Sequence, residues 1–175
     1  MTDTDQTLDA LAASTRDFLA TLDGLSAEGW NYRPSAEAWS IGETAEHTAV
    51  VLRGVERLCT TKMLTMPLAA DDPARRVRDG DLARVLADRS RAFEAPEMVK
   101  PKGRWATREE FAAAFSASSE SLIEWARKHA AVLRSVGAPH PIFGPIDGVQ
   151  WLEFLAAHTG RHAIQVEEVR RVGGV

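Results

Sequence analysis

Leu155-Ala-Ala-His158-Thr-Gly-Arg-His162-Ala-Ile-Gln165 decides the reading of this chain, because it sets two histidines four residues apart inside an apolar helical stripe. Side chains at that spacing project from one face of an α-helix. The stripe runs on through Trp151 before the pair and through Val166 and Val169 after it, while Glu153, Arg161, Glu168 and Arg170 lie off it. A last helix is therefore expected after the Pro- and Gly-rich linker at residues 138–148, with Gly173 and Gly174 as its stop. A neutral imidazole in such a stripe needs partners for both ring nitrogens, and lacking them costs about a few kcal/mol. A metal ion shared by the pair supplies one partner to each ring. Hydrogen bonds to backbone or to neighbouring side chains are the other way to satisfy two core histidines.

Three more amphipathic segments precede this one. Leu8, Leu11, Thr15, Phe18, Leu22 and Leu25 recur at heptad-like spacing and predict a first helix over residues 3–23, stopped by Gly24. Residues 31–39 contain a proline and no periodicity, so they read as a connection. Ser40 followed by Glu43 is a capping-box pattern and opens a second helix over residues 41–66, closed by Pro67. Thr107 and Glu110 repeat the pattern before Phe111, Phe115, Ser118, Leu122, Trp125, His129, Val132 and Val136, a third helix that ends at Gly137. Residues 67–104 are rich in charge, hold four prolines and are too long for an ordinary loop. They read as a crossover, with a short helix at residues 81–93 carried by Leu82, Val85, Leu86 and Phe93. No period-2 strand pattern of useful length and no internal repeat stands out. Four amphipathic helices with one long connection between the second and third predict an all-α four-helix bundle. Its expected order is up-down-down-up, since short connections favour antiparallel neighbours and a long one returns the chain to its starting end.

Composition narrows the class. A length of 175 residues with 45% apolar content predicts one domain over residues 1–175 with a substantial core. Nothing resembles a signal peptide or the roughly 20 continuous apolar residues that cross a bilayer, so a soluble cytoplasmic protein is expected. The 25 acids and 21 bases give a net charge of −4 spread along the chain, which offers no electrostatic footprint for nucleic acid or an anionic membrane. Neither is expected as a partner. The single cysteine, Cys59, excludes an intrachain disulfide and a Cys-rich zinc motif.

The remaining histidines are weighed by position. His47 shares a row with Thr44, Val51, Val55 and Leu58, about six residues or roughly 9 Å into the second helix. His162 is about nine residues, or roughly 14 Å, from the end of the last helix. Antiparallel packing of those helices brings the two levels together, so His47, His158 and His162 form a candidate three-imidazole metal site, with a structural role for His47 as the alternative. Three imidazoles with a fourth position open suit a catalytic or ligand-accepting zinc-type site. His129 lies about 33 Å along the third helix, at the far end of the bundle, and is expected to meet free carbonyls near the helix C-terminus. His140, beside Pro141, is assigned a linker or surface role. Cys59 is about 18 Å beyond His47 and turned by about 120°, which keeps it out of the cluster as a small buried residue. Trp39, Trp105, Trp125 and Trp151 read as packing groups, with Trp39 and Trp105 placed at helix starts where they could line a pocket mouth. Gln165, three residues after His162, is placed either to orient an imidazole or at the surface.

Four stretches together resemble one family: Trp39-Ser-Ile-Gly-Glu43 leading to His47, Ala95-Pro-Glu-Met-Val-Lys-Pro101, His140-Pro-Ile-Phe-Gly-Pro145, and His158-Thr-Gly-Arg-His162-Ala-Ile-Gln165. The chain resembles the DinB-like superfamily of four-helix metal-binding proteins, which includes damage-inducible proteins and the bacillithiol and mycothiol S-transferases. The resemblance implies the up-down-down-up bundle, a histidine triad at positions 47, 158 and 162, and frequent homodimerisation. Three imidazoles suit a divalent ion such as zinc, nickel, iron or copper, with zinc, nickel and iron as the expected cofactors. By the same resemblance the favoured activity is a metal-dependent transferase that activates a low-molecular-weight thiol for attack on a small electrophile. Hydrolysis is the water version of that chemistry. The alternative is a non-catalytic metal-binding bundle acting in a stress response through dimerisation or ligand capture. No general base near the triad is evident, so no catalytic residue is assigned.

Overall fold

The structure, a computed structural model, describes residues 3–90 and 93–175. It is mostly helical, and four long helices account for most of it. Helix α1 spans Asp3–Ala20, α3 spans Ile41–Thr61, α5 spans Arg108–His129 and α6 spans Gly148–Gly173. Two short helices, α2 at Ala27–Asn31 and α4 at Asp81–Ala87, lie in the connections. Each long helix turns its apolar stripe inward: Leu8, Leu11 and Phe18 of α1, Ile41, Leu52 and Val55 of α3, Phe111, Phe115 and Leu122 of α5, and Leu152, Leu155 and Val166 of α6 share one core. Phe18, Phe111 and Phe115 form its aromatic centre, with centroids 5.2–6.0 Å apart.

The helices start where their caps dictate. Ser40 Oγ accepts from Glu43 N–H at 3.1 Å while the Glu43 carboxylate accepts from Ser40 N–H at 2.8 Å, a complete capping box for α3. At α5, Thr107 Oγ1 accepts from Glu110 N–H, but the Glu110 carboxylate turns to Ala106 N–H instead, so only half of the box forms. Gly42 lies against Trp30, where a Cβ would stand 2.6 Å from the indole, so glycine lets α3 and α2 approach.

Contacts between the helix ends set the frame. At one end Arg134 joins Asp3 and Asp147, bringing together the starts of α1 and α6 and the end of α5. At the other, Arg108 at the start of α5 reaches Leu22 O, and Arg170 near the end of α6 reaches Thr21 O and Asp23 O. Residues 62–107 cross from the first end to the second and are latched to α6 on the way. Arg161 Nη1 donates to Leu86 O and Asp88 O, and Arg89 donates to Arg161 O and pairs with Glu168. Among the described residues no helix is long and apolar enough to cross a membrane.

Several expectations are corrected. Residues 138–148 are no featureless linker: Gly137–His140 (β1) and Gly144–Asp147 (β2) pair antiparallel, with Ala138 opposite Ile146 and Pro139 opposite Pro145. Four-residue strands put only two side chains on each face, too few to register as alternation, and both are edges, where proline is tolerated. The second helix stops at Thr61, and Met63–Thr65 is a 3₁₀ turn. There the backbone is drawn into long-range pairing, Leu68 N–H to Ser135 O and Gly137 N–H to Met66 O, both 2.9 Å. The third helix ends at His129, short of Gly137, as the chain turns so that Leu133 O and Val136 O can accept from Gly148 N–H. The crossover helix ends at Ala87; of the residues beyond it expected to be helical, 91 and 92 lie outside the described residues. The first helix gives way after Ala20 to turns through Gly24, and α2 was not foreseen.

Asp147 organises the entrance to α6. Its carboxylate caps Gln150 N–H at 2.9 Å, accepts from Arg75 at 2.8 Å and from Arg134 at 3.1 Å, and is 1% exposed. Asp147→Ala removes the cap and leaves Arg75, itself mostly buried, without its carboxylate. A loss of about 3 kcal/mol is expected, read from urea unfolding midpoints, and a change below about 1 kcal/mol would refute this account of the end.

Candidate metal centre

Three imidazoles meet between α3 and α6. His47 stands two turns into α3; His158 and His162 stand on successive turns near the middle of α6. His47 and His158 are buried and His162 is half-buried. Nε2 of His158 lies 3.2 Å from Nε2 of His47 and 3.2 Å from Nε2 of His162. The outer nitrogens of two of these rings are committed elsewhere. His47 Nδ1 donates to Val99 O at 2.9 Å, and His162 Nδ1 donates to Gln165 Oε1 at 2.9 Å. With the proton on Nδ1, each of these rings turns an Nε2 lone pair into the centre, as second-sphere partners of metal-bound histidine commonly arrange. His158 Nδ1 is buried and has no hydrogen-bond partner among the described residues.

This geometry fits a metal ion. Two nitrogens each about 2.0–2.1 Å from one tetrahedrally coordinated ion stand about 3.3 Å apart, close to the spacing of both pairs. With the protons of His47 and His162 on Nδ1, their two Nε2 lone pairs face a single His158 Nε2, which has at most one proton to donate, so hydrogen bonding within the trio leaves a lone pair for an ion. Among the described residues these three are the group of histidine, cysteine or carboxylate side chains placed to hold an ion together.

Electrostatics keep the rings neutral, the form that binds metal. Burial pushes His158 well below the usual histidine range, and the neighbouring His162 and His47 push it further. Burial and then His47 hold His162 down to about 3, against the opposing effect of Gln165. For His47, burial outweighs the Val99 carbonyl and the shift is again downward.

Other candidates fall outside the centre. His129 Nδ1 donates to Trp125 O at 2.7 Å and the ring stacks on Trp125, a C-terminal cap on α5. Burial, with help from Glu56, raises the Cys59 thiol to about 12, an inert core group. Trp39 lies against His47 with centroids 5.0 Å apart, whereas Trp105 packs edge-on to Phe111. His140 corrects the linker or surface assignment, because the hairpin turns it inward. The ring is 8% exposed, packs between Phe143, Trp151 and Phe154, and accepts from Ile142 N–H at Nδ1; burial lowers its pKa to about 4. Phe154 in turn contacts His158, making His140 part of the wall behind the centre.

Two supporting groups escaped the sequence reading. Val99 contributes only a carbonyl, which no side-chain pattern reveals. Glu46 is buried beside His47, where a glutamate with small or apolar neighbours such as Ala45, Thr48 and Ala49 was the available signal. Burial raises its pKa, but N–H groups of residues 102–104 and the Arg104 guanidinium outweigh that and hold the carboxyl below the usual range.

The family model of the DinB superfamily matches residues 10–166, which include all three histidines. The chain belongs to the DinB superfamily. A relative in Bacillus subtilis, the uncharacterized protein YuaE, is 29% identical over 160 residues, covering 85% of this chain and 88% of its own length. No solved structure matches the chain.

Proposed function

We propose that His47, His158 and His162 hold a divalent metal ion, with zinc, nickel and iron as the candidates, and that the protein is a metal-dependent transferase using a low-molecular-weight thiol against a small electrophile. The observation that carries this reading is the convergence of three neutral imidazoles at 3.2 Å spacings while the outer nitrogens of two are tied to Val99 O and Gln165 Oε1. An ion bound there supplies Lewis-acid chemistry, lowering the pKa of a thiol or a water so that its anion is available at neutral pH. The protein's own contribution is orientation and exclusion of solvent. His47 and His158 are buried, while His162 and Gln165 are half-buried. The thiol sulfur forms the new bond to the electrophilic carbon, the leaving group departs with its electron pair, and the thiol proton passes to solvent. Water in place of the thiol makes the reaction a hydrolysis.

The reading includes one up-down-down-up domain over residues 1–175, supported by the way α1 and α6 share both ends while α3 and α5 run between them. It also includes a homodimer, which family membership supports, and a cytoplasmic location. A second reading, a non-catalytic metal-binding bundle in a stress response, draws support from the burial of His47 and His158.

Protein purified without a metal-affinity tag is expected to carry about one equivalent of metal by elemental analysis. It is further expected to accelerate the consumption of 1-chloro-2,4-dinitrobenzene by a panel of thiols at least tenfold over chelator-treated protein. Bound metal with equal rates would leave the non-catalytic reading, and absence of stoichiometric binding after reloading would remove both.

A further inference from the structure

The segment between Val99 and Arg104 makes two separate attachments to neighbouring residues of α3. Val99 O accepts from His47 Nδ1. Three residues on, the chain closes over Glu46, whose carboxylate accepts from the backbone N–H groups of Lys102 at 2.7 Å, Gly103 at 2.8 Å and Arg104 at 3.1 Å, and from the Arg104 guanidinium at 2.5 Å. Successive N–H groups converge on one anion only where the backbone turns back on itself, and Gly103, at φ +74°, supplies that turn. The Glu46 side chain is 5% exposed, so this bonding is made largely out of water, where a carboxylate needs every donor it can find. Arg104 is more than a third exposed, which leaves the three backbone donors as the sheltered part of the clamp.

We infer that Glu46 is a positioning residue for the histidine centre: by gripping residues 102–104 it holds the Val99 carbonyl against His47 Nδ1, and so fixes the tautomer and ring angle that turn His47 Nε2 toward His158. Glu46 itself faces the loop and, among the described residues, belongs to no group placed to hold a metal ion. The geometry explains why a buried acid sits next to a buried histidine. The two side chains leave α3 about 100° apart, and one short loop satisfies both. Its consequence for metal affinity rests on the three-histidine reading; its consequence for the His47 ring does not.

Glu46→Gln keeps the shape of the side chain but presents an NH₂ group to N–H donors. In metal-free wild-type protein, long-range ¹H–¹⁵N spectra are expected to report His47 as the Nδ1–H tautomer with a slowly exchanging ring proton. In Glu46→Gln that proton is expected to exchange at least tenfold faster, with a mixture of tautomers. Cobalt(II) affinity, read by competition with a chromophoric chelator, is expected to fall about 10- to 100-fold, the usual size of an outer-sphere effect. Gly103→Ala strains the turn without touching the acid and is expected to move both readouts the same way, which keeps the test usable if Glu46→Gln fails to fold. Glu56→Gln, on the same helix outside the clamp, is the control. A wild-type tautomer and exchange rate in the folded variants would overturn the inference, even if they melt at lower temperature. Failure of wild-type protein to bind cobalt(II) would instead count against the metal reading, with the tautomer measurement still deciding the clamp.

Discussion

His158→Leu is expected to weaken metal binding by more than about 100-fold while leaving metal-free stability within about 1 kcal/mol of wild type. The first figure exceeds the 10- to 100-fold typical of losing a mere supporting group, because a nitrogen at the centre of the trio is removed. The second follows from the state of the ring without metal. His158 Nε2 is shared between His47 and His162, and Nδ1 has no partner among the described residues. An unsatisfied buried polar atom costs about 1–3 kcal/mol, so replacing the ring by an apolar side chain of similar size relieves one penalty while exposing the neighbouring lone pairs to another. Thermal unfolding with and without zinc separates the two effects. Saturation at about 100 times the dissociation constant adds about 2.7 kcal/mol to a protein that binds only when folded. Wild type is expected to shift upward and His158→Leu to stay in place; equal shifts in both would remove His158 from the site.

Metal-free protein is expected to lose stability steeply as pH falls below about 6.5. Histidine in an unfolded chain protonates near that value. In the fold, burial leads in depressing all four of the buried or half-buried rings discussed above: His140 to about 4, His162 to about 3, with His47 and His158 also shifted down. Between the unfolded and folded values the unfolded chain binds protons that the native chain refuses. Stability from these groups is therefore complete above about pH 6.5 and is lost toward pH 4. A histidine whose folded value lies well below its unfolded one contributes a slope of about 1.4 kcal/mol per pH unit, so His140, His158 and His162 together approach about 4 kcal/mol per unit at the steepest point, and His47 adds in the same direction. Two pH units below 6.5 these groups remove about 8 kcal/mol, a large part of a typical domain stability of about 5–15 kcal/mol. Urea midpoints at pH 7.5, 6 and 5 test this, and a loss under about 1 kcal/mol between pH 7.5 and 5 would contradict it. Bound metal is expected to protect over the upper part of the window, since a proton must then displace the ion to reach a ring nitrogen.

Much of the centre is legible in the sequence. His158 and His162 share a helix, so their relation follows from the helical repeat. His47 was brought to them by counting turns from the helix ends, and the structure places all three together. His140 was misplaced, because a Pro- and Gly-rich stretch reads as a connection until its two short strands pair and turn the ring inward. Glu46 went unnoticed because a glutamate in a helix reads as a solvated face. Its burial depends on a loop 56 to 58 residues further along the chain.

Sequence alone determined the positions of the four long helices, the Ser40 and Glu43 box that starts α3, and the two-histidine face of α6. These features depend on side chains three or four residues apart, and the α-helix repeats at that distance. Only the tertiary structure decided where α3 and α5 stop, how the hairpin seats His140, and how Val99 O and residues 102–104 grip His47 and Glu46. Those outcomes rest on backbone donors and acceptors, which every residue carries alike, and on partners far apart along the chain. Folding must bring them together before their chemistry can be read.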